Sequence, residues 1–167
     1  MMKMSDETFA IADLHLGHER VIEFEAEARP FKTIEEHDDE LIYRWNNTVR
    51  KKDTVIVAGD VAFGVDALKK LALLNGVKKL IMGNHDHYPM REYLKYFSQI
   101  NAMESYKNYL ITHILIHPTQ FRKYVGNVHG HLHSGQLDDP RYICISAEHI
   151  NLTPKLFKDI INESGRQ

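Results

Sequence analysis

The sequence predicts an α/β fold, and three observations predict it. Short β-rich runs alternate with helical patterns, the early runs are apolar without interruption, and polar clusters follow the runs rather than breaking into them. Strands are expected at Thr8 to Ala12, Thr54 to Ala58, Lys79 to Met82, Tyr109 to Ile116, Gly126 to His129 and Arg141 to Ala147. The unbroken apolarity of Val55, Ile56, Val57 and Ala58 suits a strand covered on both faces. Between the strands, Thr33 and Glu36 form a Thr-x-x-Glu capping box, and Ile34, Leu41, Ile42, Trp45 and Val49 line one face of a helix ending before Lys52. A second helix is expected from Asp66 to Asn75 with Gly76 as its left-handed C-cap, and a third from Met90 to Phe97. The last should open with Thr153 as cap and Pro154 as its first helical residue, turning Leu156, Phe157, Ile160 and Ile161 inward. Strands of the second half can pair through short turns, as around Lys107 and Asn108, which favours a mixed sheet or two stacked sheets over one parallel sheet.

With 167 residues the chain is expected to form a single domain over residues 1–167, able to bury its own core. A formal charge of -2 gives no global basic field for gripping nucleic acid or an anionic membrane, so any attraction for phosphate has to be local. Cys144 is the single cysteine, which excludes an internal disulfide or a thiolate zinc cage. It reads as a small buried apolar residue in mid-strand. No run is long and apolar enough to span a bilayer and no secretory h-region is read, so a cytoplasmic, reducing compartment is expected. Eleven histidines beside one cysteine and one tryptophan need a chemical reason.

The polar clusters supply one. Asp13-Leu14-His15 follows the first strand, Gly59-Asp60 the second and Gly83-Asn84-His85-Asp86 the third; His117-Pro118 follows the fourth, and Gly130-His131-Leu132-His133 the fifth. Ligand sites of α/β folds collect at the carboxyl ends of strands, so segments distant in sequence can meet there. Two-residue spacing puts Asp13 and His15 on one side of an extended backbone, and likewise His131 and His133. Glycines 59, 83 and 130 permit close backbone approach.

In order and spacing these five blocks resemble the calcineurin-like metallophosphoesterase superfamily, whose pattern is Asp-x-His, Gly-Asp, Gly-Asn-His-Asp/Glu, a lone His and Gly-His-x-His. Its small bacterial and bacteriophage members are the nearest in type, through Leu16-Gly17-His18, Arg29-Pro30-Phe31, Trp45-Asn46 and Ser146-Ala147-Glu148. The resemblance implies two stacked mixed β-sheets flanked by helices, a four-layer αββα arrangement. It also implies that Asp13, His15 and His133 hold one divalent ion, that Asn84, His117 and His131 hold a second, and that Asp60 bridges them with one oxygen for each. Oxygen and imidazole donors without thiolate suit manganese first, with iron, zinc, nickel or cobalt also compatible, better than calcium or cuprous copper. Two such ions lower the pKa of bound water, and a hydroxide between ions roughly 3.5 to 4 Å apart is expected to attack phosphorus in line. His85 is expected to protonate the leaving oxygen.

Two departures stand out. Relatives often continue the second block to Gly-Asp-x-x-Asp, whose last Asp orients the catalytic histidine; here Phe63 occupies that place, so either Asp86 or another carboxylate supports His85, or the substrate carries a good leaving group that needs less protonation. His117 is followed at once by Pro118 where relatives often insert a residue, which keeps His113 as a competitor. His18 and Arg29 are assigned to substrate phosphate, against a structural hydrogen bond for His18 and a salt bridge for Arg29. His129 reads as a packed or supporting residue, and His37, His87 and His149 as solvated or locally bonded. The expected activity is phosphatase or phosphodiesterase action on a small, nucleotide-like ester, with no membrane partner and no strong hold on nucleic acid. The alternatives are a nuclease acting on polymer, which needs an extended basic groove, and an inactive scaffold, which usually lacks ligands present here.

Overall fold

The computed structural model describes residues 6–163. Two sheets stack on each other. The larger has the order β4-β3-β2-β1-β9, from β1 (Thr8–Ile11), β2 (Thr54–Val57), β3 (Val77–Ile81), β4 (Gln99–Asn101) and β9 (Lys155–Leu156). Its first four strands are parallel and β9 is antiparallel to β1. The smaller runs β5-β6-β7-β8, from β5 (Glu104–Tyr106), β6 (Tyr109–Thr112), β7 (Gly126–His129) and β8 (Tyr142–Cys144). There β6, β7 and β8 are parallel, and β5 and β6 form an antiparallel hairpin across Lys107 and Asn108, both at positive φ. That pair of left-handed residues matches the right-handed twist of the strands it joins.

Alternation along the strands fills two cores. Phe9, Ile11, Val55, Val57 and Leu80 face a helical layer of α2 (Ile34–Thr48) and α3 (Val65–Lys70), meeting Leu41, Trp45, Leu68 and Leu71. Ala10, Ile56 and Ile81 face the smaller sheet and pack on Tyr109, Ile111, Val128 and Ile145, with Phe157 and Ile160 of α5 (Phe157–Glu163). Small residues such as Ala10, Ala12 and Ala58 sit between the sheets, where bulk would hold them apart. On the far face of the smaller sheet the covering layer is thin: the connection after β6 carries one 3₁₀ turn, Pro118–Gln120, and the Phe121 ring lies 5.4 Å from Tyr142. At the site end the sheets are laced together, because the chain after β8 pairs with Ala12: Ala12 N donates to Ile145 O at 2.9 Å and Ala147 N to Ala12 O at 2.9 Å.

Several expected boundaries move. The capped helix forms as read, with Thr33 Oγ1 accepting from Glu36 N at 3.2 Å. The second helix ends at Lys70 and continues as a 3₁₀ turn, and the third, α4 (Met90–Tyr93), is one turn long after the short α1 (Val21–Phe24). Thr153 and Pro154 do not open the last helix. Lys155 and Leu156 instead pair with Ala10 and Phe9 and close the otherwise bare edge of β1. Most consequentially, β6 stops at Thr112, whose Oγ1 donates to the Ile114 carbonyl at 2.7 Å and bends the chain. Ile114, expected inside a strand, is 50 % exposed.

Candidate metal centre

The carboxyl ends of β1, β2, β3, β6 and β7 lie on one side, and the loops that leave them carry the chemistry. Asp13, His15, Asp60, His131 and His133 all adopt positive φ, between 51° and 73°. A non-glycine residue in this region costs on the order of 1–2 kcal/mol. Asp13 and His15 therefore converge through two left-handed residues, not through the extended backbone their spacing suggested. Close approach is bought with glycine: a Cβ on Gly83 would lie 2.2 Å from Asp60 Oδ1, and one on Gly130 2.6 Å from Asp13 Oδ2.

Asp13, fully buried, divides its two oxygens. Oδ2 accepts from His131 N at 2.9 Å and from Ser146 Oγ at 2.7 Å, while Oδ1 has no hydrogen-bond partner. His15 Nε2 is likewise buried and unpartnered, 3.8 Å from Asp13 Oδ1 and 3.8 Å from Asp60 Oδ2. Buried polar atoms are rarely left unsatisfied, so two of them facing each other fit a cation. His133 completes this group, since it lies close enough to share an ion with Asp13 and His15. Its Nδ1 donates to Glu148 Oε1 at 2.9 Å, which fixes the tautomer and leaves Nε2 as a free donor pair.

A second group surrounds Asp60 Oδ2. His113 Nδ1 donates to the Ala58 carbonyl at 2.7 Å, so Nε2 presents its lone pair 2.8 Å from Asn84 Oδ1 and 3.3 Å from Asp60 Oδ2. Three acceptors pointing at one another need either a proton or a cation between them. Burial pushes the His113 pKa down, but the Asp60 hydrogen bond and the Asp13 and Asp60 charges lift it above its ordinary value. The His131 ring lies 5.2 Å from that of His113. Asp60 touches both groups through Oδ2 alone, because Oδ1 accepts from His85 N at 2.8 Å.

Of the residues singled out in the sequence, Asp13, His15, Asp60, Asn84, His131 and His133 meet here. His117 does not join them. Its ring is exposed and bonds Thr119 through Nδ1 at 2.9 Å, and His113 stands in the position expected of it, because β6 ends four residues early. Arg29 is also corrected: it is fully buried behind the loops, donating to the Asp13 and Leu14 carbonyls and to Glu148, so it is not available to substrate. His37 is buried as well, its Nδ1 donating to Asp38 Oδ1 at 2.8 Å. His18 reaches His15, Nδ1 to Nδ1 at 2.9 Å, and stacks on Phe63 at 4.1 Å. Burial, followed by the neighbouring histidines, lowers its pKa to about 4.

Asp86 does not support the His85 ring. Its carboxylate accepts from the backbone N–H groups of Asp60, Val61 and Gly83 at 2.9, 3.0 and 2.8 Å, tying the second and third ligand loops together. The His85 ring lies 5.4 Å from Phe63 and 6.4 Å from His15 between centroids. Sequence reasoning missed the work of Ser146, Glu148 and Asp86. Once β6 is seen to end at Thr112, His113 follows the rule of the other ligands, which all stand within four residues of a strand end, whereas His117 stands five beyond.

Comparisons with known proteins bear on the family and the fold. The calcineurin-like phosphoesterase family matches residues 8–166. The chain is 34% identical over 154 residues to the uncharacterized protein MJ1445 of Methanocaldococcus jannaschii, covering 87% of this chain and 80% of that protein. It is 39% identical over 84 residues to the gene 66 protein of Mycobacterium phage L5, covering 47% of this chain and 39% of that protein. The crystal structure of AQ665, a protein of unknown function from Aquifex aeolicus, superposes with a TM-score of 0.77 at 23% identity, covering 95% of this chain and 100% of that one, and supports the fold.

Proposed function

The chain belongs to the calcineurin-like phosphoesterase family, and from that premise we propose that it hydrolyses small, nucleotide-like phosphoesters with the help of two divalent metal ions. The observation that carries this reading is the pair of buried, unpartnered atoms, Asp13 Oδ1 and His15 Nε2, facing Asp60 Oδ2. In this reading Asp13, His15 and His133 hold one ion, Asn84, His113 and His131 the other, and Asp60 Oδ2 serves both. The mixed oxygen and imidazole set suits manganese, iron, zinc, nickel or cobalt. Bound there, the ions would draw phosphate oxygens into the pocket and lower the pKa of water toward neutrality.

The rest of the chemistry belongs to the chain. The His85 backbone is fixed by its hydrogen bond to Asp60 Oδ1, so its ring is carried at a set distance from the bridging carboxylate and can give a proton to the leaving oxygen. Phe63 supplies no carboxylate to that ring. It stacks on His15 at 4.8 Å and on His18 at 4.1 Å, which restrains the plane of the His15 imidazole. A near-neutral charge and a site served by local groups favour small esters over polymeric nucleic acid. Among the described residues no helix is long and apolar enough to cross a membrane.

Hydrolysis of p-nitrophenyl phosphate and bis-p-nitrophenyl phosphate, measured with each of these metals in turn, tests the proposal; folded protein inert with all of them rejects it. His85→Ala should retain the metals and slow turnover more for poor leaving groups than for good ones. Equal slowing across leaving groups removes His85 as the acid.

A further inference from the structure

Burying a guanidinium is costly unless its donors find acceptors. Arg29 is 0 % exposed, and its acceptors lie in the wall of the centre. Nη2 donates to the Asp13 carbonyl at 2.6 Å and Nη1 to the Leu14 carbonyl at 3.1 Å. Those carbonyls lie between Asp13 at φ 57° and His15 at φ 52°, so the planar fork grips a stretch of backbone that is costly to hold. Nε and Nη2 both reach Glu148 Oε1 at 2.7 Å, the atom that accepts from His133 Nδ1.

Behind Arg29 the contacts continue into helix α2. Nη1 donates to His37 Nε2 at 2.7 Å, His37 Nδ1 donates to Asp38 Oδ1, and Asp38 Oδ2 accepts from Gly17 N at 2.9 Å and Lys70 Nζ at 2.7 Å. Most of the second group is braced by separate contacts, His113 by the Ala58 carbonyl and the Asp60 and Gly83 loops by Asp86, while the His131 backbone is tied to Asp13 Oδ2.

We propose that Arg29 is a positioning residue for one of the two metal ions. It orders Asp13, His15 and His133 from helix α2 and leaves the Asn84 and His113 group to its own supports. This rests on the metal-dependent reading above, and the test separates the two. Metal-free full-length protein is titrated with Mn by calorimetry, metal content is counted after dialysis, and thermal melting confirms folding. Wild type should bind two ions. Arg29→Lys keeps the charge but not the fork, and one ion should weaken by roughly 10–100-fold, the usual effect of losing a supporting partner. Asn84→Ala should weaken the other, and the double variant should hold neither at the same concentration. Glu148→Gln should weaken the same ion as Arg29→Lys and carries the test if the latter fails to fold. Two ions at wild-type affinity in folded Arg29→Lys, or equal weakening of both, overturns the inference alone. Wild type that binds no divalent ion overturns the metal-dependent reading and this inference with it.

Discussion

The two sheets contribute different chemistry to the same cleft. Loops leaving the larger sheet bring mostly oxygen: Asp13 after β1, Asp60 after β2 and Asn84 after β3, with His15 the exception. Loops leaving the smaller sheet bring imidazole: His113 after β6, then His131 and His133 after β7. The supports differ in kind too. Oxygen ligands are held by backbone N–H groups and short donors, as Asp13 is by His131 N and Ser146 Oγ. Imidazoles are held through Nδ1 by an acceptor, His113 by a carbonyl and His133 by Glu148. Each support uses up one atom of its ligand and leaves the other facing the cleft. A dinuclear site thus comes from two one-sided surfaces, and their alignment matters as much as their composition.

Substitution at the atom shared by the two surfaces should have the largest effect. Asp60→Asn keeps the shape but removes the charge between both groups, so metal titration should show both ions weakened and turnover falling by more than the ~10–100-fold of a lost supporting partner. Next comes the choice between two histidines of the smaller sheet. His113→Ala should lose one ion and most activity, whereas His117→Ala, an exposed position, should stay within about two-fold of wild type in turnover and within ~0.5 kcal/mol in stability. The reverse result would return His117 to the site. Gly83→Ala probes the larger sheet alone: the added methyl meets Asp60 Oδ1, and urea denaturation should show a loss of about 1–3 kcal/mol, with metal affinity reduced.

A modest effect is expected at the opposite end of the larger sheet, where the buried Asp53 precedes β2. A hydrogen bond from the partly exposed Arg50 holds its pKa at about 2, helped by the backbone amides of Glu7 and Arg50 and opposed by burial. Because the folded value is depressed, its stabilisation is complete above the unfolded value near ~3.9 and fades as pH falls toward about 2. Wild type should exceed Asp53→Asn by ~1 kcal/mol at neutral pH, discounted for the exposure of Arg50, and the gap should close in acid. A gap undiminished at pH 2 would mean the pair is not its source.

Legibility in the sequence follows the same division. The parallel strands of the larger sheet are covered on both faces, so their apolar runs stand out and the ligands after them are found by position. Val55 to Val57 and the Asp60 that follows show this. In the smaller sheet β6 is equally buried, but the apolar Ile114, Leu115 and Ile116 extend its pattern beyond the bend at Thr112. That extension moved the expected ligand from His113 to His117. Arg29 was misplaced for another reason: a guanidinium that binds phosphate and one that binds backbone carbonyls look alike in sequence, and only burial separates them. The short strands β4, β5 and β9 left no readable period, since two or three residues carry too little alternation.

The lacing of Ala12 to Ile145 and Ala147 sets how the cleft can breathe. It is a seam between the sheets, one residue from Asp13, and parting the sheets would require breaking backbone hydrogen bonds on both sides of Ala12 together with the Ser146 contact to the Asp13 carboxylate. Small openings of the domain therefore leave this edge of the cleft shut. Amide hydrogen exchange at Ala12 and Ala147 should proceed only through the rare events that unfold the whole chain.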